Sequence, residues 1–517
     1  MGRLAPIWEY WMDQNPNPTV RRAARNAVWN SLDYVVLPAA LLFLTPFFVS
    51  RLGAQQFGIW VLANAIAGLT GVFGLGLGEA TIKYVSSYRA RKDWTSVGRI
   101  VQSTLTMYGA LGALTALIIA SSASFLAARV FHVVPQEIYL ALTTIRLAGL
   151  CFGIRSIQGV LQSAVQGFER YDLSAQVNIV SKGLVLGGSA YLVQHHRGVP
   201  EILLLTNLVA ALSAVVLGSA LRRLLPGLVL WPSFDRAVLR EVFGFGLYTW
   251  LQNIAGTVFA QADVLLVGTF LGPAAVTAYS ICQRLGMQIH GVLSAGSSFL
   301  FPMSSIAAEH GHVEKMRAIY SRATRLIVLA AVAMGLPLYL LSGSILKAWM
   351  GAEFANENTN ILRVLALGYA LLATSIVPYN LLNGAGQVKI NTALSWFSLA
   401  LIVLATAVSA PAFGLVGVAY AKLVNIIPLA TAVVVLNRRI LRQRVMGQVA
   451  LQFVPIVLPF ALAGFWVQVY GIPRFTTAFG IAMAVGVSGV LTLLVGILAQ
   501  EACKFILRRA PAGETAT

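Results

Sequence analysis

The chain has 517 residues, 58% of them hydrophobic and 11% charged, with a mean hydropathy of +0.77. Soluble domains carry about a quarter charged residues, so water is excluded as the main solvent, and the composition predicts an all-α polytopic membrane protein. The net charge of +19, from 37 Lys and Arg against 18 Asp and Glu, would suggest nucleic acid in a soluble chain; in a membrane chain it reports topology, and no nucleic-acid partner is expected.

Residues 1–28 contain Trp8, Trp11, Asp13 and the run Asn15-Pro16-Asn17-Pro18. They lack the apolar core and cleavage site of a signal peptide and read as a cytoplasmic segment. Stretches of roughly 20 apolar residues suffice to span a bilayer. Fourteen are read: 29–50, 56–78, 101–128, 138–163, 173–194, 201–221, 243–269, 275–303, 323–346, 361–383, 390–410, 414–437, 449–470 and 475–500. They group into a six-helix bundle (29–221), a cytoplasmic linker (222–242), a second six-helix bundle (243–437), a cytoplasmic loop (438–448), two extra helices (449–500) and a cytoplasmic tail (501–517). Turns between spans are short and marked by Gly or Pro, as at Leu271-Gly272-Pro273 and Ala410-Pro411. With Arg325 and Arg363, at span ends, assigned to the loops they adjoin, 26 Lys and Arg fall on the side of the termini, 6 on the other side and 5 inside spans. The asymmetry places both termini in the cytoplasm of a multi-pass inner-membrane protein.

The first six spans resemble the next six. Leu52-Gly53 and Trp60 recur as Leu271-Gly272 and Tyr279, and Arg146, Phe152 and Gly167 recur as Arg363, Tyr369 and Gly384. Six is even, so the copies share one orientation and form a parallel repeat about an axis normal to the membrane. Chance similarity between apolar helices is the competing reading.

Several motifs occur in order. Arg51-Leu52-Gly53-Ala54-Gln55-Gln56-Phe57-Gly58-Ile59-Trp60 is followed by Gly74-Leu75-Gly76-Leu77-Gly78 and Lys83-Tyr84-Val85. Gln166-Gly167-Phe168-Glu169-Arg170-Tyr171 follows span 4, Asp263-Val264-Leu265-Leu266-Val267-Gly268 lies in span 7, and Gly384-Ala385-Gly386-Gln387 follows span 10. In this order and spacing, over about residues 27–440, they resemble the O-antigen flippases within the multidrug/oligosaccharidyl-lipid/polysaccharide exporter superfamily. The resemblance implies two six-helix bundles around a central cavity that opens alternately to each side, an undecaprenyl-pyrophosphate-linked oligosaccharide as cargo, and partners such as a polysaccharide polymerase and chain-length proteins. Residues 1–26 depart from the family pattern as a longer N-terminal extension.

Five cations lie inside spans: Arg146, Arg155, Lys182, Arg284 and Lys422. A charge at a helix centre costs roughly 2.5–3.5 kcal/mol on insertion scales, so five facing lipid would cost on the order of 12–18 kcal/mol. They must meet a wet cavity, a partner or the interface. Arg146 and its repeat counterpart Arg363 lie near the outer face and can snorkel. Arg155, Lys182, Arg284 and Lys422 have apolar counterparts in the other copy, so the fold alone does not require them. These four are the expected substrate-binding residues: Arg offers a planar fork of donors and Lys a point charge to phosphate oxygens. Intramembrane carboxylates are Asp33, near the cytoplasmic end of span 1, and Asp263, deep in span 7. Asp263 is either the partner of a nearby cation or an ion-coupling site. His290 could assist it or be a packing residue. Gln158, Gln162, Asn178, Gln252, Asn253, Gln261, Tyr279, Gln283, Gln288, Tyr379, Asn380 and Asn425 could bind sugar or join helices.

Gly68, Gly71, Gly74, Gly76 and Gly78 in span 2, and Pro302, Pro378 and Pro428 in spans 8, 10 and 12, are candidate hinges or static kinks. Cys151, Cys282 and Cys503 show no paired spacing, so no disulfide or metal is expected. No nucleotide-binding loop or nucleophile–base constellation is visible, so the chain is read as a secondary transporter without cofactors, not as an enzyme. Rival readings are a multidrug or cation exporter of the same superfamily, which predicts an acidic cavity, a flippase for a peptidoglycan precursor, and a membrane polysaccharide polymerase or acyltransferase, which needs catalytic groups in a long outer loop.

Overall fold

The computed structural model describes residues 18–69, 72, 77–227, 233, 236–443 and 445–470. Span 14, the tail, Gly71, Gly74 and Gly76 lie outside the described residues, as does the side chain of Asp33. Every regular element described is a helix. In chain order these are α1 (Pro18–Gly68), α2 (Leu77–Ala90), α3 (Trp94–Phe125), α4 (Ile138–Gly167), α5 (Tyr171–Gln194), α6 (Val199–Leu224), α7 (Arg236–Gly296), α8 (Leu300–Glu309), α9 (Val313–Leu340), α10 (Ser342–Met350), α11 (Ala352–Ala373), α12 (Ile376–Gly384), α13 (Val388–Ala421), α14 (Ile426–Val435) and α15 (Val445–Tyr470). Eight stretches of the described residues are long and apolar enough to cross a membrane. The chain is therefore an all-helical, polytopic integral membrane protein.

Helix breaks follow from glycine and proline chemistry. α1 breaks at Gly53 (φ 76°, ψ 166°) and α7 at Gly272 (φ 79°, ψ 176°). These positive φ values are open to glycine without the Cβ clash that other residues meet. The two breaks share one backbone conformation at equivalent positions of the Leu-Gly motif. α13 breaks at Gly414 (φ 58°, ψ −145°). The three prolines act in a single way. Pro302, Pro378 and Pro428 each occupy the third position of a helix that has just restarted, α8, α12 and α14. Proline cannot donate to the carbonyl four residues back, and in a first turn that donor has no helical acceptor to miss. The expected continuous spans 8 and 10 are thereby corrected: span 8 is interrupted between Gly296 and Leu300, and span 10 between Ala373 and Ile376. In span 2 the helix from Pro18 ends at Gly68, Leu69 lies in a turn and Val72 is again helical.

The chain divides into two compact units. Unit 1 contains residues up to Leu52, Ile66–Ala123 and Tyr139–Leu247. Its core joins Val97, Ile100 and Val101 of α3, Leu161, Ala164 and Val165 of α4, and Leu217 and Leu221 of α6. Small residues let α3 and α4 approach closely: a β-carbon on Gly149 would sit 3.1 Å from the Ala116 carbonyl oxygen, and one on Gly112 would sit 3.0 Å from Ser156 Cβ. At the exposed start of α3, Asp93 Oδ1 and Oδ2 accept from Ser96 N (3.0 Å) and Ser96 Oγ (2.6 Å). These bonds hold its carboxyl below the usual range and satisfy a free helix donor.

Unit 2 contains Gly53–Ala65, Ser124–Ile138 and the chain from Tyr248 onward. Within it the two Leu-Gly breaks face one another. Thr277 Oγ1 donates to the Ala54 carbonyl at 2.6 Å, Gln56 Nε2 donates to Glu137 Oε1 at 3.1 Å, and a β-carbon on Gly58 would overlap the Pro273 carbonyl oxygen. α15 packs into the unit's core through Phe453, Ile456 and Phe460. A buried polar chain ties it there. Asn437 Nδ2 donates to Tyr320 Oη (3.3 Å), which donates to Gln452 Oε1 (3.2 Å), while Gln452 Nε2 donates to the Thr374 carbonyl (3.1 Å).

Gly58→Val should lower the melting temperature of the detergent-solubilised protein. Overpacking against a backbone carbonyl costs about 1–3 kcal/mol, whereas Gly109→Ala, with open space around it, should leave the transition unchanged. Gln452→Leu should cost about 1–2 kcal/mol, because the Tyr320 hydroxyl and the Thr374 carbonyl lose their partner in a setting without water; a thermal melt beside wild type reads this directly.

Candidate functional site

Among the described residues, unit 2 buries one ion pair at membrane depth. Asp263 lies nine residues before the Gly272 break and Gln283 eleven residues after it. At about 1.5 Å per residue, both lie roughly 14–16 Å along their limbs of α7, about half the apolar thickness of a bilayer. Lys422 lies eight residues beyond the Gly414 break, at a similar depth. The chain folds so that these three side chains converge.

Asp263 Oδ2 accepts from Lys422 Nζ and from Gln283 Nε2, the latter at 3.2 Å. The Lys422 and Asp263 side chains are 3% and 1% exposed. Aromatic faces complete the cation's surroundings: its Nζ lies 5.0 Å from the Phe259 ring centroid and 5.5 Å from that of Tyr369, within cation–π range. Two glycines make room. A β-carbon on Gly286 would sit 2.7 Å from the Tyr369 ring, and one on Gly368 would sit 3.5 Å from Lys422 Cγ. Beside the pair, the buried Tyr279 hydroxyl lies within hydrogen-bonding reach of the Asp263 carboxylate. His290 lies within reach of Lys422.

Lys422 opens a single 3₁₀ turn, Lys422–Asn425, between α13 and α14. Pro428 explains it, because the missing donor would have served the Val424 carbonyl. Asn425 braces the turn. It donates from Nδ2 to the Lys422 carbonyl (3.3 Å) and accepts from Ser398 Oγ (2.5 Å).

Of the expected site residues, Lys422 and Asp263 meet directly, so the reading of Asp263 as a cation's partner is realised. Arg284 follows the Gln283 that bonds the same carboxylate, and its guanidinium lies 5.7 Å from the Phe57 ring centroid in the same unit. Arg155 is half-buried on α4, within electrostatic reach of Cys151; Lys182 is exposed on α5. Both belong to unit 1. Arg146 is exposed on α4. Phe259, Phe57 and Tyr369 were missed as site residues. Tyr369 carried a signal, since it repeats Phe152 with an added hydroxyl; the other two aromatics look like ordinary core.

A family model described as polysaccharide biosynthesis protein matches residues 49–358. The chain belongs to this family. Among similar proteins, one from Shigella flexneri named an O-antigen transporter is 24% identical over 379 residues, covering 71% of this chain and 86% of that protein. One from Haloferax volcanii named a low-salt glycan biosynthesis flippase is 24% identical over 466 residues, covering 89% and 90%. The fold is similar to that of the lipid II flippase MurJ in an inward closed conformation, at TM-score 0.66 and 12% identity over 93% of this chain and 98% of that one. It is also similar to an inward-facing multidrug resistance MATE transporter, at TM-score 0.61 and 15% identity over 84% and 99%. This member of the polysaccharide biosynthesis family thus shares its fold with lipid and drug transporters, and its site chemistry must distinguish them.

Breaking a buried ion pair by removing one partner costs about 3–5 kcal/mol, whereas removing both charges together costs far less. Asp263→Ala should therefore destabilise the solubilised protein by that amount, and Asp263→Leu combined with Lys422→Met should recover most of it. A double-mutant cycle from thermal or denaturant melts gives the coupling, which is near zero if the two side chains do not interact.

Proposed function

We propose that this chain is a flippase that moves an undecaprenyl-pyrophosphate-linked oligosaccharide from the cytoplasmic to the outer leaflet of the inner membrane by alternating access, for O-antigen or exopolysaccharide export. It acts as a secondary transporter rather than a catalyst. Both termini lie in the cytoplasm, and a polysaccharide polymerase and chain-length proteins act on the delivered cargo. The transmembrane part has fourteen helices: parallel six-helix bundles over 29–221 and 243–437, with two further helices in 449–500. Helix length supports more crossings than eight. The apolar stretches Trp250–Gly296 and Val388–Ile440 run for 47 and 53 residues, about 70 and 80 Å of helix against about 30 Å of hydrocarbon. Glycine breaks at Gly272 and Gly414 divide them.

The observation that carries the reading is the sign of the intramembrane charge. Five cations stand against two carboxylates inside the spans. Such a balance suits a pyrophosphate, which must shed water to enter the bilayer, and repels organic cations. It favours a polyanionic lipid headgroup over a drug. Arg155, Lys182, Arg284 and Lys422 are the proposed headgroup-binding residues.

In proteoliposomes loaded with a fluorescent undecaprenyl-pyrophosphate oligosaccharide, the wild-type protein should expose label to an impermeant quencher. Arg155→Gln, Lys182→Gln, Arg284→Gln and Lys422→Gln should each lower that rate about tenfold or more, as expected for the loss of roughly one charge-assisted hydrogen bond. Full flux in all four single variants would overturn the headgroup assignment. Ethidium efflux from the same vesicles would favour the drug-exporter reading.

A further inference from the structure

Arg363 carries a charge that its described neighbours do not balance. It lies on α11 where the helix changes character: Glu353, Asn356, Glu357, Asn358, Thr359 and Asn360 precede it, and Val364–Ala373 holds no charge. Within electrostatic reach stands Tyr339, the next-to-last residue of α9, so the guanidinium is level with the end of that span. Tyr420, six residues past the Gly414 break of α13, is within reach of Tyr339 as well. Tyrosines gather at the membrane–water interface, which is the level of lipid phosphates. Arg363 Nη1 donates to Asn360 Oδ1 at 3.2 Å. Its Nε and Nη2 are buried with no hydrogen-bond partner, and among the described residues no carboxylate pairs with it. Lys422, Arg317, Arg89 and Arg170, by contrast, each hold an oxygen. Nε and Nη2 share one edge of the guanidinium, the fork that grips two oxygens of a carboxylate or phosphate at once. Charged donors buried without an acceptor are costly.

The surroundings offer both halves of a lipid site. A β-carbon on Gly464 would sit 3.0 Å from Tyr339 Oη, so the hydroxyl reaches α15 where that helix is bare. The Tyr339 ring packs edge to face on Phe460 of α15, with centroids 5.4 Å apart. Along α15, Leu458, Leu462 and Phe465 form an exposed apolar stripe at helical spacing, and Tyr420 is itself 56% exposed. We propose that Arg363, with the Tyr339 and Tyr420 hydroxyls, holds the phosphodiester of one phospholipid whose acyl chains lie along the exposed stripe of α15. Arg363 is half-buried, and a change in its side-chain torsions brings the Nε–Nη2 edge to the lipid. The phosphodiester supplies the single negative charge that the guanidinium lacks, and its oxygens accept from the fork. The bound lipid fastens α15 to α9 and α11, as the Tyr320–Gln452 bond does nearer the start of the same helix. Such a lipid is held whatever cargo the chain carries.

Native mass spectrometry of the full-length protein, released from detergent micelles with dioleoyl phosphatidylglycerol added, counts the lipids retained. Wild type should keep one phosphatidylglycerol in a step set apart from weaker additions, and the same lipid should raise its melting temperature. Dioleoylglycerol, which lacks the phosphate, should bind about tenfold more weakly or worse, and Arg363→Gln should lose phosphatidylglycerol by a similar factor, as expected when a charge-assisted fork is removed. Arg146→Gln, which removes the exposed repeat counterpart on α4, should retain the lipid as wild type does. If Arg363→Gln does not fold, Arg363→Lys, which keeps the charge and loses the fork, must still bind severalfold more weakly. Equal retention of phosphatidylglycerol by wild type and the Arg363 variants, equal loss in Arg146→Gln, or equal retention of dioleoylglycerol overturns the site. Displacement of phosphatidylglycerol by undecaprenyl pyrophosphate at lower concentration gives the same phosphate chemistry to the delivered cargo, and displacement by inorganic phosphate gives it to a free anion; either overturns the phospholipid assignment.

Discussion

Hydrocarbon offers no water to a polar atom, and this constraint shapes every feature of the chain. Backbone groups are satisfied by helices, so helices are what the described residues form. Side-chain charges have no such default. At the midplane of unit 2 the solution is local and complete for one cation: Lys422 is screened by a carboxylate on one side and by two aromatic faces on the others. The surrounding sequence serves that arrangement. Gly286 and Gly368 clear space for the ring and the lysine stem, and Asn425 holds the turn that aims the lysine.

Breaks in the helices are as ordered as the helices. Glycines supply positive φ at the breaks inside α1 and α7, at Gly53 and Gly272. Prolines supply restarts inside a span, each at the third residue of its helix. A glycine break leaves helical geometry at one residue with positive φ, whereas a proline stands in the first turn of a helix that begins anew. The lysine of the ion pair sits at one such restart.

Much of this was legible in the sequence, for reasons that can be named. Apolar length and the Lys/Arg asymmetry report crossings directly, because the bilayer selects for both. Pro302, Pro378 and Pro428 announced interruptions in spans 8, 10 and 12, although the restart came two residues before each proline rather than at it. Asp263 and Lys422 stood out singly because a charge in an apolar run is expensive. Their pairing did not, since 159 residues separate them and no local pattern encodes a contact of that range. Phe259 and Phe57 were invisible for the opposite reason: an aromatic in an apolar helix carries no mark until a cation is found over its face. Lys182 illustrates a third case, in which the sequence flags the residue and the fold leaves it on an exposed helix face.

The polar chain from Asn437 through Tyr320 to Gln452 bears on how the molecule is made. Gln452 belongs to the last helix described, which leaves the ribosome after the segments that hold Tyr320 and Thr374. An amide entering lipid alone would be poorly tolerated, so α15 can settle only once those acceptors and donors are already assembled. Arg317 prepares the way by gripping the carbonyls of Leu441 and Arg442 at 2.6 and 2.8 Å, just ahead of the helix. A chain whose second unit has misassembled thus offers the Gln452 amide no partner, so the order of assembly is written into the packing of α15.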